Sequence, residues 1–418
     1  MPHFLCAVTL KTTGNVGECR RTPMKMRRIC ATPHLGEELL EKLGIFERTP
    51  ESKVETPRKK ENRKSKHKDI GDFRMEKRNM RVDISILRIV ATLAVVFLHT
   101  NNTISNNRDI FLIDAEKMRF FSINNFLMNW AVPVFFMITG VLLLDSNKFI
   151  TFKACVNKYS RRIVLALFTF GVPFSMLEIF MKNRKISFVI LEEAIGNVIT
   201  GNSWSHLWYL YTLIGIYLIL PILKTFVNNA EKATVRYVIW ILFIFDFCKC
   251  IFDNILGVSI AFEIPIGGFA VFYVLLGKYL TDRDTCFCNK KICSIFILIS
   301  VVCIVGGGML IGNYKVQEYF GYNSPVIVLL SISIFMMFQG ITCKRKQSVW
   351  KIDRLCFAVY LIHPVFINFF YKFLKITPLR FGNFYFIGVV IFWILFVILS
   401  FGSAWIMHHI TLLKKYIL

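Results

Sequence analysis

Charge is scarce over most of this chain. Asp, Glu, Lys and Arg make up 19% of it, and many of them fall in the first eighty residues. A soluble protein of this length carries about 25% charge and about 45–50% apolar residues. Here 55% of residues are hydrophobic and 15% aromatic, which excludes an ordinary soluble domain. Metal spacing is also missing among the 12 cysteines. Cys286-Phe287-Cys288 is a lone C-x-C, and a zinc site needs four ligands. Cys248, Cys303 and Cys356 lie in apolar runs and read as small hydrophobes. No disulfide framework is expected in such a chain. No apolar stretch of signal length precedes a small-residue cleavage site. No internal duplication is evident, and repeats are a common mark of transporters.

What the sequence has instead is repeated, nearly uncharged runs of about 17–25 residues, the length that crosses a bilayer core. Lipid offers a bare backbone no hydrogen bonds, so such runs are helices. The expected fold class is all-α, a polytopic transmembrane bundle of about ten spans. They fall at 84–103, 122–144, 163–181, 206–223, 235–252, 264–281, 292–312, 324–342, 355–374 and 384–410. The stretch 186–200 contains Glu192 and Glu193 and reads as interfacial or re-entrant. With the N-terminus inside, the inside loops hold more Lys and Arg than the outside ones, so both termini are expected in the cytoplasm.

Residues 1–79 form a basic extension with runs such as Pro57-Arg58-Lys59-Lys60. Little apolar surface is available there, so disorder is expected. A short helix is expected at 35–46, and Met75 or Met80 is a candidate start. Residues 80–418 form the membrane domain. The net charge of +24 does not imply nucleic acid, because the basic residues sit in loops between apolar runs rather than on one folded face.

The first span carries the informative residues. It opens Arg81-Val82-Asp83-Ile84-Ser85-Ile86-Leu87-Arg88 and continues to Phe97-Leu98-His99. Ionisable groups inside a span are costly and usually face the bundle interior or a wet cavity. Arg88 and His99 are eleven residues apart, about three turns plus 20°, so they share a face about 16 Å apart along the axis. Histidine suits proton transfer near neutrality. It can take a proton from a hydroxyl, or hold an acyl group as nucleophile. Arginine suits an anionic group such as a phosphate. The plainer alternative is an interfacial His99 and an Arg88 that snorkels to the surface.

These residues resemble the opening of the membrane acyltransferase-3 superfamily, whose first span bears an arginine, ten residues and a histidine. Val132-Pro133-Val134-Phe135-Phe136-Met137-Ile138-Thr139-Gly140 is similar to its V-P-x-F-F-x-x-S-G, with Thr139 for serine. His206-Leu207-Trp208-Tyr209-Leu210 is similar to its H-L-W-F-L, and Tyr360-Leu361-Ile362-His363 to its Y-L-x-H. The motifs follow family order over 80–410. The family's paired arginines before the third span are represented by Lys158 and Arg161, beside Arg162, and lysine lacks the planar fork. Plain positive-inside charge explains that cluster equally well.

The resemblance implies an O-acyltransferase, acetyl transfer being usual, with cytoplasmic acyl-CoA as donor substrate and no tightly bound cofactor. The expected partners are the lipid bilayer, acyl-CoA and a carbohydrate or lipid-linked glycan. It implies His99 and Arg88 as catalytic residues. Asp83 would hold Arg88 or cap the helix. Lys158, Arg161, Arg162, Trp208, Tyr360 and His363 would bind donor or acceptor. Trp208 alternatively belongs to an aromatic belt, and His363 alternatively is a buried ring bonded to a carbonyl. No metal is expected. The Lys, Asn, Ile and Phe bias suggests an AT-rich bacterial genome and hence the cell membrane. The rivals are an exporter of polysaccharide or small molecules, and a scaffold acting through its basic tail.

Overall fold

The computed structural model describes residues 81–145, 150–183, 188–248, 268–282, 289–310 and 319–418. The expected disorder of 1–79, the helix at 35–46 and the C-x-C at 286–288 lie outside these residues. All regular structure among the described residues is helical.

Helix α1 (Val82–Ser105) has 24 residues with neither Pro nor Gly inside, and spans about 36 Å. That exceeds the hydrocarbon thickness of about 30 Å. Two of its buried threonines bond to its own backbone. Thr92 donates to the carbonyl of Arg88 and Thr100 to that of Val96. Such bonds satisfy hydroxyls where no water is available. Its entry is fixed by Asp83, which accepts from the N–H of Ile84 at 2.9 Å and of Gly340 at 3.2 Å.

After α1 come α2 (Ala115–Leu127) and α3 (Ala131–Leu143), two parts of one 29-residue apolar span. Helix α4 (Arg161–Asn183) follows a wide π-type turn at Cys155–Ser160, and α5 (Phe188–Thr200) packs back on it. Next are α6 (Trp208–Asn229), α7 (Lys232–Phe243), α8 (Phe269–Thr281), α9 (Lys290–Leu310) and α10 (Pro325–Phe338). A short amphipathic helix, α11 (Lys346–Asp353), leads into α12 (Cys356–Asn368). The chain closes with α13 (Tyr385–Met407) and α14 (Thr411–Tyr416).

Helix α1 is the hub. It packs against α2, α3, α10, α11, α12 and α13. Trp393 on α13 donates to the carbonyl of Leu93 at 3.1 Å. Helices α3 and α8 cross at glycines. A Cβ on Gly140 would fall onto the carbonyl oxygen of Val274, and one on Gly277 onto that of Met137. Dispersion between close backbones is what holds helices together where lipid is as apolar as leucine. The close crossing is the physical role of the glycine that ends the V-P-V-F-F-M-I-T-G stretch.

Among the described residues, seven helices are long and apolar enough to cross a membrane. At the expected sixth and eighth spans stand the shorter apolar helices α8 and α10. Their 13 and 14 residues cover about 20 Å each at about 1.5 Å per residue. The expected fifth span begins as α7 and a wide turn at Ile244–Cys248, and its remainder lies outside the described residues. The stretch expected to be interfacial at 186–200 is the helix α5.

Candidate active site

One cavity of about 500 Å³ runs between α1, α3, α4, α6 and α12. Arg88 and His99 both line it, so the eleven-residue spacing does put them on one inward face. Helix α12 lies beside α1. Asp353, just before it, meets Arg88, and His363, ten residues on, meets His99.

At the basic end, Arg88 Nη1 donates to Asp353 Oδ1 at 2.9 Å and to Oδ2 at 3.0 Å. Ser85 donates its hydroxyl to Asp353 Oδ2 at 2.9 Å. One guanidinium nitrogen therefore straddles the carboxylate. The Asp353 side chain is 5% exposed and that of Arg88 27%. Burial pushes the Asp353 carboxyl above the usual carboxylate range, while Arg88 and Ser85 pull it back. Arg354 and Arg162 line the same end. Arg162 also donates to the backbone carbonyls of Ile417, at 2.6 Å, and Leu418. Leu418 itself lines the cavity, so the described tail lies against its basic mouth.

At the other end three imidazoles meet. Ring centroids of His99 and His363 are 5.0 Å apart, His99 and His206 6.2 Å, and His206 and His363 5.8 Å. His363 and His206 are buried, and His99 faces the cavity. Tyr360 donates its hydroxyl to the carbonyl of His206 at 2.6 Å. Trp208, Tyr209, Tyr322 and Tyr360 clothe the adjoining wall. The Trp208 and Tyr322 rings are 5.4 Å apart. Among the described residues no group of three or more His, Cys, Asp or Glu is arranged to hold a metal ion.

The structure sorts the residues picked from sequence. Arg88, His99, Arg162, Trp208 and Tyr360 line the cavity, and His363 sits behind His99. Asp83 pairs with Arg81 at 2.6 Å and holds backbone N–H groups, whereas Arg88 is held by Asp353. Asp83 therefore sits in the first turn of α1, just inside the N-cap Arg81, and is not the partner of Arg88. Lys158 and Arg161 are exposed and stand outside the cavity lining, while Arg162 reaches it. Sequence reasoning missed Asp353, Arg354 and His206 as site residues. Asp353 and Arg354 fall just before the span expected at 355–374, where loop charge is ordinary. No spacing marks them, since they lie 10 and 9 residues before His363 and Asp353 ends a separate helix. His206 was visible only as the first letter of its motif.

The arrangement separates an anion-holding end from a proton-handling end. Cations at one end suit phosphate oxygens. An imidazole at the other, walled by aromatic rings, suits a hydroxyl losing its proton. A family model described as an acyltransferase domain matches residues 81–409. No match is found among curated proteins or among solved structures.

Proposed function

The chain belongs to the acyltransferase-3 family of membrane acyltransferases, and on that premise we propose that it moves an acetyl group from cytoplasmic acetyl-CoA to a hydroxyl of a cell-surface carbohydrate or lipid-linked glycan. The observation that carries this reading is the single cavity lined by both Arg88 and His99. Its volume of about 500 Å³ is that of an ordinary ligand site. It suits the thin acyl-pantetheine arm, with the nucleotide phosphates left at the basic mouth among Arg88, Arg162 and Arg354.

In this reading both termini are cytoplasmic, and about ten segments enter the bilayer of the cell membrane. Lys158 and Arg161, exposed near the mouth, draw the anionic donor in by long-range attraction. Arg88, fixed by Asp353, places it. Trp208 and Tyr360 present flat faces to a sugar ring. The hydroxyl loses its proton to His99 as its oxygen attacks the thioester carbonyl. The carbon–sulfur bond then breaks, and the sulfur leaves as the thiol after taking the proton from His99. Holding hydroxyl, thioester and base together supplies much of the rate, since positioning alone is worth about 7–11 kcal/mol in favourable cases.

The test is the acetyl content of surface glycans from cells expressing the intact protein or His99→Ala at equal levels. The reading predicts loss of the added acetyl groups in the variant. Unchanged acetyl content would remove it.

A further inference from the structure

His363 lies wholly inside the protein, at 0% exposure. Its Nδ1 is 3.0 Å from the carbonyl oxygen of Val359, one turn back on the same helix. A carbonyl only accepts, so Nδ1 carries the hydrogen. An unpaired charge in such a place is costly, so the ring holds that one hydrogen and no second. Nε2 is then an acceptor with a free lone pair. Among the described residues it has no hydrogen-bond partner. A buried acceptor left without a partner calls for an explanation.

The nearest ring is that of His99, with centroids 5.0 Å apart and planes inclined at 49°. His206 also has a buried Nε2 without a partner among the described residues. Its ring is farther from His99, at 6.2 Å and 80°. His363 is both closer and fixed by its own backbone bond. We infer that His363 is a positioning residue for His99, its Nε2 accepting the hydrogen of one ring nitrogen so that the other nitrogen faces the acceptor hydroxyl. This rests on His99 being the reacting base, as proposed above.

The chemical need is plain. An imidazole with its hydrogen on the wrong nitrogen cannot take a proton from the substrate. A third group that holds the base in one tautomer recurs wherever histidine activates a hydroxyl. Here that group is a neutral imidazole rather than a carboxylate. When the hydroxyl proton moves to His99, the ring holds two hydrogens. The second N–H donates to His363 Nε2 until the departing sulfur takes the transferred proton. Catalytic hydrogen bonds are often long before substrate enters and tighten with it, which fits the present ring spacing.

The experiment uses membrane vesicles carrying the full chain and their own glycans, supplied with radiolabelled acetyl-CoA. His363→Leu is expected to lower the limiting rate of label transfer about 100-fold, the usual scale of one acid–base element. The acetyl-CoA concentration for half-maximal rate stays within about twofold, as for an interaction made in the transition state. His363→Gln, whose amide oxygen still accepts, recovers to within about tenfold of wild type. A His363→Leu protein at the wild-type rate, or a folded Gln variant no better than folded Leu, would overturn the inference. Nitrogen-15 NMR of the wild-type histidines does not depend on any variant folding. It should find His363 with its hydrogen on Nδ1, and hydrogen on Nε2 would overturn the inference equally. An active His99→Ala retires the base reading and this inference together. An inactive His99→Ala beside a fully active His363→Leu retires this inference alone.

Discussion

Arg88 on α1 and Asp353 before α12 are joined through one guanidinium nitrogen shared by both carboxylate oxygens, at 2.9 and 3.0 Å. The two residues are 265 positions apart, so the pair ties the first span to the last third of the chain. It also leaves the rest of the guanidinium fork available to the cavity that Arg88 lines.

Removing the carboxylate strands that cation. For a fully buried pair the loss of one partner costs about 3–5 kcal/mol. Arg88 is 27% exposed, so solvent screening reduces this to about 2 kcal/mol for Asp353→Ala. Thermal unfolding in detergent measures it. Asp353→Asn keeps the shape and has a distinct pH signature. Burial raises the Asp353 carboxyl above its ordinary value of 3.8, the pull of Arg88 and Ser85 notwithstanding. A raised acid binds its proton more tightly in the folded chain than in the unfolded one. The stability gained from that proton is present at low pH and is lost as pH rises from 3.8 through the raised value, leaving the pairing with Arg88 above it. The stability difference between wild type and Asp353→Asn should fall over that interval and stay flat above it.

The basic residues at the mouth should divide by exposure. Lys158 and Arg161 are exposed, and attraction between exposed charges is screened beyond about 8 Å at physiological salt. Lys158→Ala and Arg161→Ala should each raise the acetyl-CoA KM about two- to fivefold at low salt, since an exposed charge contributes up to about 1 kcal/mol. The effect should vanish at high salt, with kcat unchanged. Arg88→Lys should cost about tenfold or more in kcat/KM at any salt, because the ammonium lacks the planar fork. Steady-state kinetics over a salt series separates the two classes. Salt-independent loss at Lys158 would place it in direct contact with the donor.

The crossing of α3 and α8 gives a test of the fold alone. Gly140→Ala places a carbon on the backbone of Val274, which has no room to move without separating the helices. Overpacking of this kind costs about 1–3 kcal/mol. The monodisperse yield on gel filtration should drop sharply. Gly215→Ala, where nothing stands within 4 Å of the added carbon, should not lower it.

These sites show what a sequence discloses about such a chain and what it does not. The helices at Val82–Ser105, Lys290–Leu310 and Tyr385–Met407 were legible because length and apolarity are set by lipid. Helices α8 and α10 are shorter than the spans expected there, because hydropathy registers apolar sequence and not where a helix begins or ends. The shared face of Arg88 and His99 was legible because helical period alone decides it. Asp353 was not, because its contact to Arg88 crosses 265 residues and no local pattern encodes it. Asp83 lies five residues from Arg88, yet its carboxylate is already filled by Arg81 and by two backbone N–H groups.

The most direct measurement is an electron cryomicroscopy structure of the full chain in a lipid nanodisc with a non-hydrolysable acetyl-CoA analogue. The acyl carbonyl should lie within hydrogen-bond reach of His99, with the phosphates among Arg88, Arg162 and Arg354. An analogue seated outside the cavity, or an acyl group separated from His99 by packed side chains, would contradict the account.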